Sequence, residues 1–176
     1  KTAYNIFACN GILFNHESPR RGHNFVTRKI TKGIASIVKA EKEGKDDCIY
    51  LGNMDSKRDW GHAKDYVNGM WLMLQQEKPD NYVLATGKQY TIRQFVEKAF
   101  NYVGKTIIWE GTGIDEIGKE KTTGKIYVRV NPRYFRPNEV GNLLGDPSKA
   151  HNVLKWSHEY DIDLLIKDML DNDLKL

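Results

Sequence analysis

Short apolar, strand-like runs alternate with amphipathic helical segments along most of this chain. That alternation constrains the fold more than any other feature. Strands separated by helices favour parallel pairing, with each helix as the crossover, so we expect an α/β architecture.

Residues 4–14 (YNIFACNGILF) form a short, nearly continuous apolar run with aromatics, as a buried strand does. Asn10-Gly11 inside it reads alternatively as a hairpin turn. A polar loop follows over 15–24, and Asn24 is placed to cap a helix over 25–43 with Phe25, Ile30, Ile34, Ile37 and Val38 on one face. Residues 48–51 read as a strand, 52–61 as a polar, glycine-bounded loop, and 62–77 as a helix with Tyr66, Gly69, Met70, Met73 and Leu74 on its apolar side. A strand over 81–85 precedes a helix over 92–102, capped by Thr91 and carrying Phe95, Val96, Ala99 and Phe100 on one face. Residues 105–110 read as a strand, 111–123 as a polar loop, and 125–130 as an alternating, half-exposed strand. Residues 131–137 (NPRYFRP) are irregular because of their prolines, and short helices are expected over 148–155 and 162–171.

Composition removes several functional classes. Lys plus Arg number 27 against 23 Asp plus Glu, a net charge of +4 with the signs well mixed. No like-charge block stands out, which argues against a nucleic-acid partner. Hydrophobic residues make up 40% of the chain, enough for a core. The longest apolar runs, such as Ile12-Leu13-Phe14, are too short to cross a bilayer, and no secretory signal opens the chain. The cytoplasm is the expected compartment and no membrane partner is expected. Cys9 and Cys48 sit in apolar runs and read as buried free thiols. His16, His23, His62, His151 and His158 lack metal-ligand spacing, so no metal is expected. Gly104-Lys105-Thr106 resembles the end of a phosphate loop, but it runs from helix to strand, the reverse of that motif. The chain begins at Lys1 without Met and enters an apolar run almost at once, and we read it as part of a longer protein.

The polar clusters carry the chemistry. Residues 15–22 (NHESPRRG) directly follow a strand, where open α/β sheets bind ligands. Arg20 and Arg21 there suit a phosphate, and His16 suits a cofactor contact or proton transfer; a solvated loop is the plain alternative. Arg58 stands just before a helix, where an anion would be held, with Asp59 placed to cap that helix. Trp60 reads as either a base-stacking platform or a buried anchor. Arg133, Arg136 and Glu139 share a proline-framed loop that would hold them for a ligand or simply end a strand.

Four segments, in order, closely resemble the GDP-mannose 4,6-dehydratase family of extended short-chain dehydrogenase/reductases. They are 10–22 (NGILFNHESPRRG), 24–29 (NFVTRK), 51–65 (LGNMDSKRDWGHAKD) and 134–139 (YFRPNE). The resemblance runs from Tyr4 almost to Leu176. It implies the C-terminal part of a Rossmann-like enzyme: the last parallel strands plus a smaller α/β substrate-binding domain. Residues 1–23 would end the NADP-binding domain. Residues 24–176 would be mainly the substrate domain, with segments around 47–86 returning to the Rossmann sheet. The reaction implied is conversion of GDP-mannose to GDP-4-keto-6-deoxymannose with tightly bound NADP, in a homo-tetramer or homo-dimer.

By the same resemblance His16 and Arg21 match NADP-contacting positions. Asn10, Val26, Lys29, Gly52, Arg58, Arg136 and Glu139 match positions that hold the GDP-sugar. The family's Gly-rich turn and Tyr-x-x-x-Lys pair are missing: none of the nine tyrosines has Lys four residues on. No catalytic residue is therefore assigned, and the chain alone is expected to be inactive. Two other readings remain at this point: a non-catalytic nucleotide-sugar binding module, and a related nucleotide-sugar dehydratase or epimerase.

Overall fold

The computed structural model describes residues 4–136 and 142–175. Strands β1 (Asn10–Leu13), β2 (Asn15–Glu17), β3 (Ile49–Leu51), β4 (Lys57–Arg58), β5 (Trp60–His62), β6 (Asn81–Leu84), β7 (Tyr90–Thr91), β8 (Ile107–Glu110), β9 (Ile117–Glu120) and β10 (Ile126–Val130) are interleaved with four α-helices. The helices are α1 (Val26–Lys42), α2 (Ala63–Leu74), α3 (Ile92–Tyr102) and α4 (Ile162–Asp173). The chain divides into two compact units, 1–18 with 58–89 and 143–165, and 19–57 with 90–142 and 166–176.

The first unit is built on parallel pairs. β1 runs beside β6, from Asn10 opposite Asn81 to Leu13 opposite Leu84, and the Phe14 amide extends the ladder to the Leu84 carbonyl at 3.0 Å. The next residues then change partner, and β2 runs parallel to β5 with His16 opposite Gly61. Asn10-Gly11 is therefore extended strand and not a hairpin turn. The expected strand is also shorter at its start than 4–14, with Asn5 in the left-handed region at φ 50°. Helix α2 covers this unit's core, made of Tyr66, Met73, Tyr82, Leu84, Ala150, Leu154 and Trp156. Gly69 allows the close approach, since a Cβ there would lie 2.6 Å from Leu84 Cδ1. Met70 and Leu74, expected inside, are exposed.

In the second unit the sheet order is β3-β10-β9-β8, with β3 and β10 parallel and the other pairs antiparallel. Helices α1 and α3 pack on each other, and α1 also packs on β3. Ile30, Ile34 and Ile37 of α1 and Phe95, Val96, Ala99 and Phe100 of α3 are buried, as the periodicity predicts. Phe100 stacks on Tyr127 of β10 with ring centroids 5.6 Å apart. A full capping box starts α3: Thr91 accepts from the Gln94 amide, and the Gln94 side chain accepts from the Thr91 amide. Strand β9 lies within the expected 111–123 loop, stabilised by ladders on both sides. The last turn region is a short π-helix, Ala150–Leu154, closed by Lys155 at φ 54°.

Candidate functional site

In the first unit, Asn10 is exposed on β1, and its side-chain amide donates to Asn81 Oδ1 at 2.9 Å across the ladder. His16 lies half-buried on β2, with Nδ1 2.8 Å from the Phe14 carbonyl. A carbonyl only accepts, so Nδ1 is the donor, and the tautomer that pairs with Phe14 leaves Nε2 as an acceptor. Arg58 is half-buried on β4. The residue after it, Asp59, is fully buried. Its carboxylate accepts from the Thr86 amide at 2.9 Å, the Thr86 hydroxyl at 2.6 Å, the Gly87 amide at 2.9 Å and the Gly145 amide at 3.4 Å.

Asp59 therefore does not cap α2. His62 does, accepting from the Lys64 amide at 3.1 Å. A buried carboxylate ringed by amide donors ties 86–87 and 145 to the chain immediately after Arg58. The sequence reading missed this role because a helix-capping Asp and a loop-anchoring Asp look alike until their donors are known. Trp60 is buried, which settles its two readings in favour of the anchor.

In the second unit the predicted residues form two neighbouring groups around the start of α1. Phe25, not Asn24, is the N-cap, and it makes no side-chain capping bond. The Arg21 guanidinium lies 3.4 Å over the Phe25 ring, and Phe25, expected on the apolar face, is exposed instead. Val26 opens the helix, half-buried. The first turn holds no acid, and Arg28 and Lys29 lie within it. Cations there oppose the helix dipole, while the amides of a helix's first turn favour an anion. Arg28 is neutralised within the fold by a buried ion pair with Asp173. Lys29 instead places its ammonium 3.3 Å over the Tyr134 ring.

Tyr134 links Lys29 to Gly52 and Arg136. A Cβ at Gly52 would fall 2.2 Å from the Tyr134 carbonyl oxygen, so glycine is what lets this segment lie against the end of β3. Asn53 then pairs with Arg136 in both directions: its Nδ2 donates to the Arg136 carbonyl at 2.9 Å, and its Oδ1 accepts from the Arg136 amide at 2.8 Å. The Asn131 amide donates to the Leu51 carbonyl at 2.9 Å, and the Arg133 amide to Asn131 Oδ1 at 2.9 Å. The structure thus brings Lys29, Gly52 and Arg136 together around a fixed segment, with Arg21 and Val26 at the helix start. Glu139 lies outside the described residues. Among the described residues, no group of three or more His, Cys, Asp or Glu side chains is arranged to hold a metal ion. No described helix is long and apolar enough to cross a membrane.

The fold is shared with about half the length of several solved proteins. It is similar to RMD from Pseudomonas aeruginosa complexed with NADPH, with a TM-score of 0.68 and 16% identity over 94% of this chain and 47% of that one. It is also similar to the dTDP-glucose 4,6-dehydratase from Bacillus anthracis str. Ames in complex with NAD, with a TM-score of 0.70 and 15% identity over 98% of this chain and 46% of that one. The sequence is more specific than the fold. Residues 1–169 match the GDP-mannose 4,6 dehydratase family profile. All 176 residues align at 54% identity with GDP-mannose 4,6 dehydratase of Drosophila melanogaster, spanning 44% of that protein. The chain belongs to the GDP-mannose 4,6 dehydratase family. It spans about half the length of the curated relatives it matches, 44% to 46% in three of them.

Proposed function

We propose that this chain is the carboxyl-terminal, substrate-binding part of an enzyme that converts GDP-mannose to GDP-4-keto-6-deoxymannose and water. The observation that carries this reading is the clustering of Lys29, Gly52 and Arg136 around Tyr134, beside a helix start whose N-cap makes no side-chain capping bond and whose first turn holds no acid. Such a cluster suits a diphosphate. On this reading Arg58 and Arg136 hold the diphosphate, Asn10 lies near it, Val26 and Lys29 contact the substrate, and Gly52 and Glu139 face its nucleotide end.

NADP is the cofactor we assign; when bound it accepts a hydride from the sugar and returns it. The donor set fits such a group. His16, with Nδ1 on the Phe14 carbonyl, supplies Nε2 as an acceptor for its N–H and O–H donors, and Arg21 supplies a guanidinium for its phosphates. Within the proposal, residues 1–23 end the cofactor-binding domain and 24–176 are mainly substrate-binding, with 47–86 returning toward the Rossmann sheet. The enzyme is proposed to act in the cytoplasm as a homo-tetramer or homo-dimer, with no nucleic-acid or membrane partner. A side-by-side turnover assay of the intact protein on GDP-mannose and dTDP-glucose tests the substrate. Preference for GDP-mannose is expected, and preference for dTDP-glucose would overturn the assignment.

A further inference from the structure

The His16 imidazole is held from two directions. Its Nδ1–H donates to the Phe14 carbonyl at 2.8 Å. Its face stacks on the Tyr66 ring, with centroids 5.1 Å apart and planes inclined by 29°. The stack depends on a missing side chain. His16 is paired in parallel register with Gly61, so any side chain at 61 would stand on the same face of the ladder, next to the imidazole. A Cβ at Gly61 would lie 2.5 Å from Tyr66 Cε2 and 2.9 Å from the Tyr66 hydroxyl oxygen. Tyr66 therefore fills the space that glycine leaves open.

Tyr66 is itself immobilised. It is fully buried at the start of α2, and its ring meets Trp156 edge-on, with centroids 6.0 Å apart and planes inclined by 80°. Its hydroxyl is buried without a hydrogen-bond partner among the described residues. Burial, then the Asp59, Asp65 and Glu17 carboxylates, push that hydroxyl far up from its ordinary range. A phenol in that setting neither gives up its proton nor anchors a hydrogen bond. What the position supplies is a flat ring.

We infer that Tyr66, seated over Gly61, is the positioning residue of His16: it fixes the imidazole plane so that Nδ1 stays on the Phe14 carbonyl and Nε2 is presented as an acceptor to the nicotinamide cofactor. This deepens the proposed function and rests on it for the cofactor contact only. The fixed ring is a property of the chain itself.

The test uses the intact protein with 15N-labelled histidine rings. Without cofactor, the wild type and Tyr66→Phe should show His16 as a single Nδ1–H tautomer, with ring protons moved upfield by the stacked ring. Tyr66→Leu, and independently Gly61→Ala, should lose the upfield shift and show averaged tautomers while far-UV circular dichroism still reports a folded protein. NADPH titration should then give a Kd raised on the order of threefold to tenfold in both variants and unchanged in Tyr66→Phe, in line with the strength of an aromatic pair. Tautomer mixing in the wild type overturns the inference, whatever the variants do. So does an unchanged His16 signal in folded Tyr66→Leu or Gly61→Ala. If the signal changes as expected but neither these variants nor His16→Ala alters NADPH affinity, the positioning stands and the cofactor reading of His16 fails.

Discussion

Asn53 and Arg136 hold each other as paired strand residues would, through an amide-to-carbonyl bond of 2.9 Å and an amide-to-amide-oxygen bond of 2.8 Å. A side chain here does the work of a backbone neighbour, and it fixes the chain that carries Arg136. Replacing it removes both bonds at once. Asn53→Ala should cost about 1–2 kcal/mol and raise KM for the GDP-sugar more than it lowers kcat. Asn53→Asp keeps the acceptor and loses the donor, so it should fall between. Steady-state kinetics of the three proteins check the order; equal KM values would detach Asn53 from the site.

Gly52 is required for space. Its Cβ position meets the Tyr134 carbonyl oxygen at 2.2 Å, and that oxygen is backbone, not the movable end of a side chain. Gly52→Ala should therefore displace the Tyr134–Arg136 segment and cost about 1–3 kcal/mol. The readout is the urea midpoint together with KM. A midpoint and KM both equal to wild type would contradict the close approach.

Arg58 is proposed as a diphosphate ligand, with its neighbour Asp59 anchoring 86–87 and 145. Arg58→Ala should lose a charge-assisted contact of about 1.5–3 kcal/mol, on the order of a ten- to hundredfold rise in KM. An unchanged KM would remove Arg58 from the site.

Where local chemistry decides, the sequence is a good guide. The Thr91–Gln94 capping box and the apolar face behind it set α3 at 92–102, the expected bounds. The first turn of α1 was harder to read. Asn24 has the cap-forming side chain, yet the stacking of Arg21 on Phe25 accompanies a helix whose N-cap is Phe25. Strand β9 (IGKE) has no apolar alternation to read, because its order comes from antiparallel ladders to β8 and β10, the strands on either side of it in the chain. Among the proposed site residues, Arg21, Arg58 and Arg136 stand out as candidate anion ligands by residue type and context. Asn53, Tyr134 and Tyr66 do not, since each acts through a contact made only in the fold.

Glu120 gives the second unit a defined acid response. Its carboxylate accepts from the Thr122 amide at 3.0 Å and the Thr123 amide at 2.6 Å, at the turn between β9 and β10. These bonds, the Thr122 amide first, pull its pKa from 4.5 down to about 2. The folded chain thus takes up this proton less readily than the unfolded chain. The stabilisation is complete above 4.5 and is lost as the pH falls toward 2. Urea unfolding of the wild type and Glu120→Gln, followed from roughly pH 5 to pH 2, should show the two stabilities converging on acidification. A constant difference across that range would contradict it.

The most direct measurement follows the hydrogen at C4 of the sugar. The intact protein is given GDP-mannose deuterated at C4, and the product is analysed by mass spectrometry and NMR. The expected product is GDP-4-keto-6-deoxymannose with the deuterium at C6 of the same sugar. No turnover, or a product with C6 hydrogens drawn only from solvent, would contradict the proposed reaction.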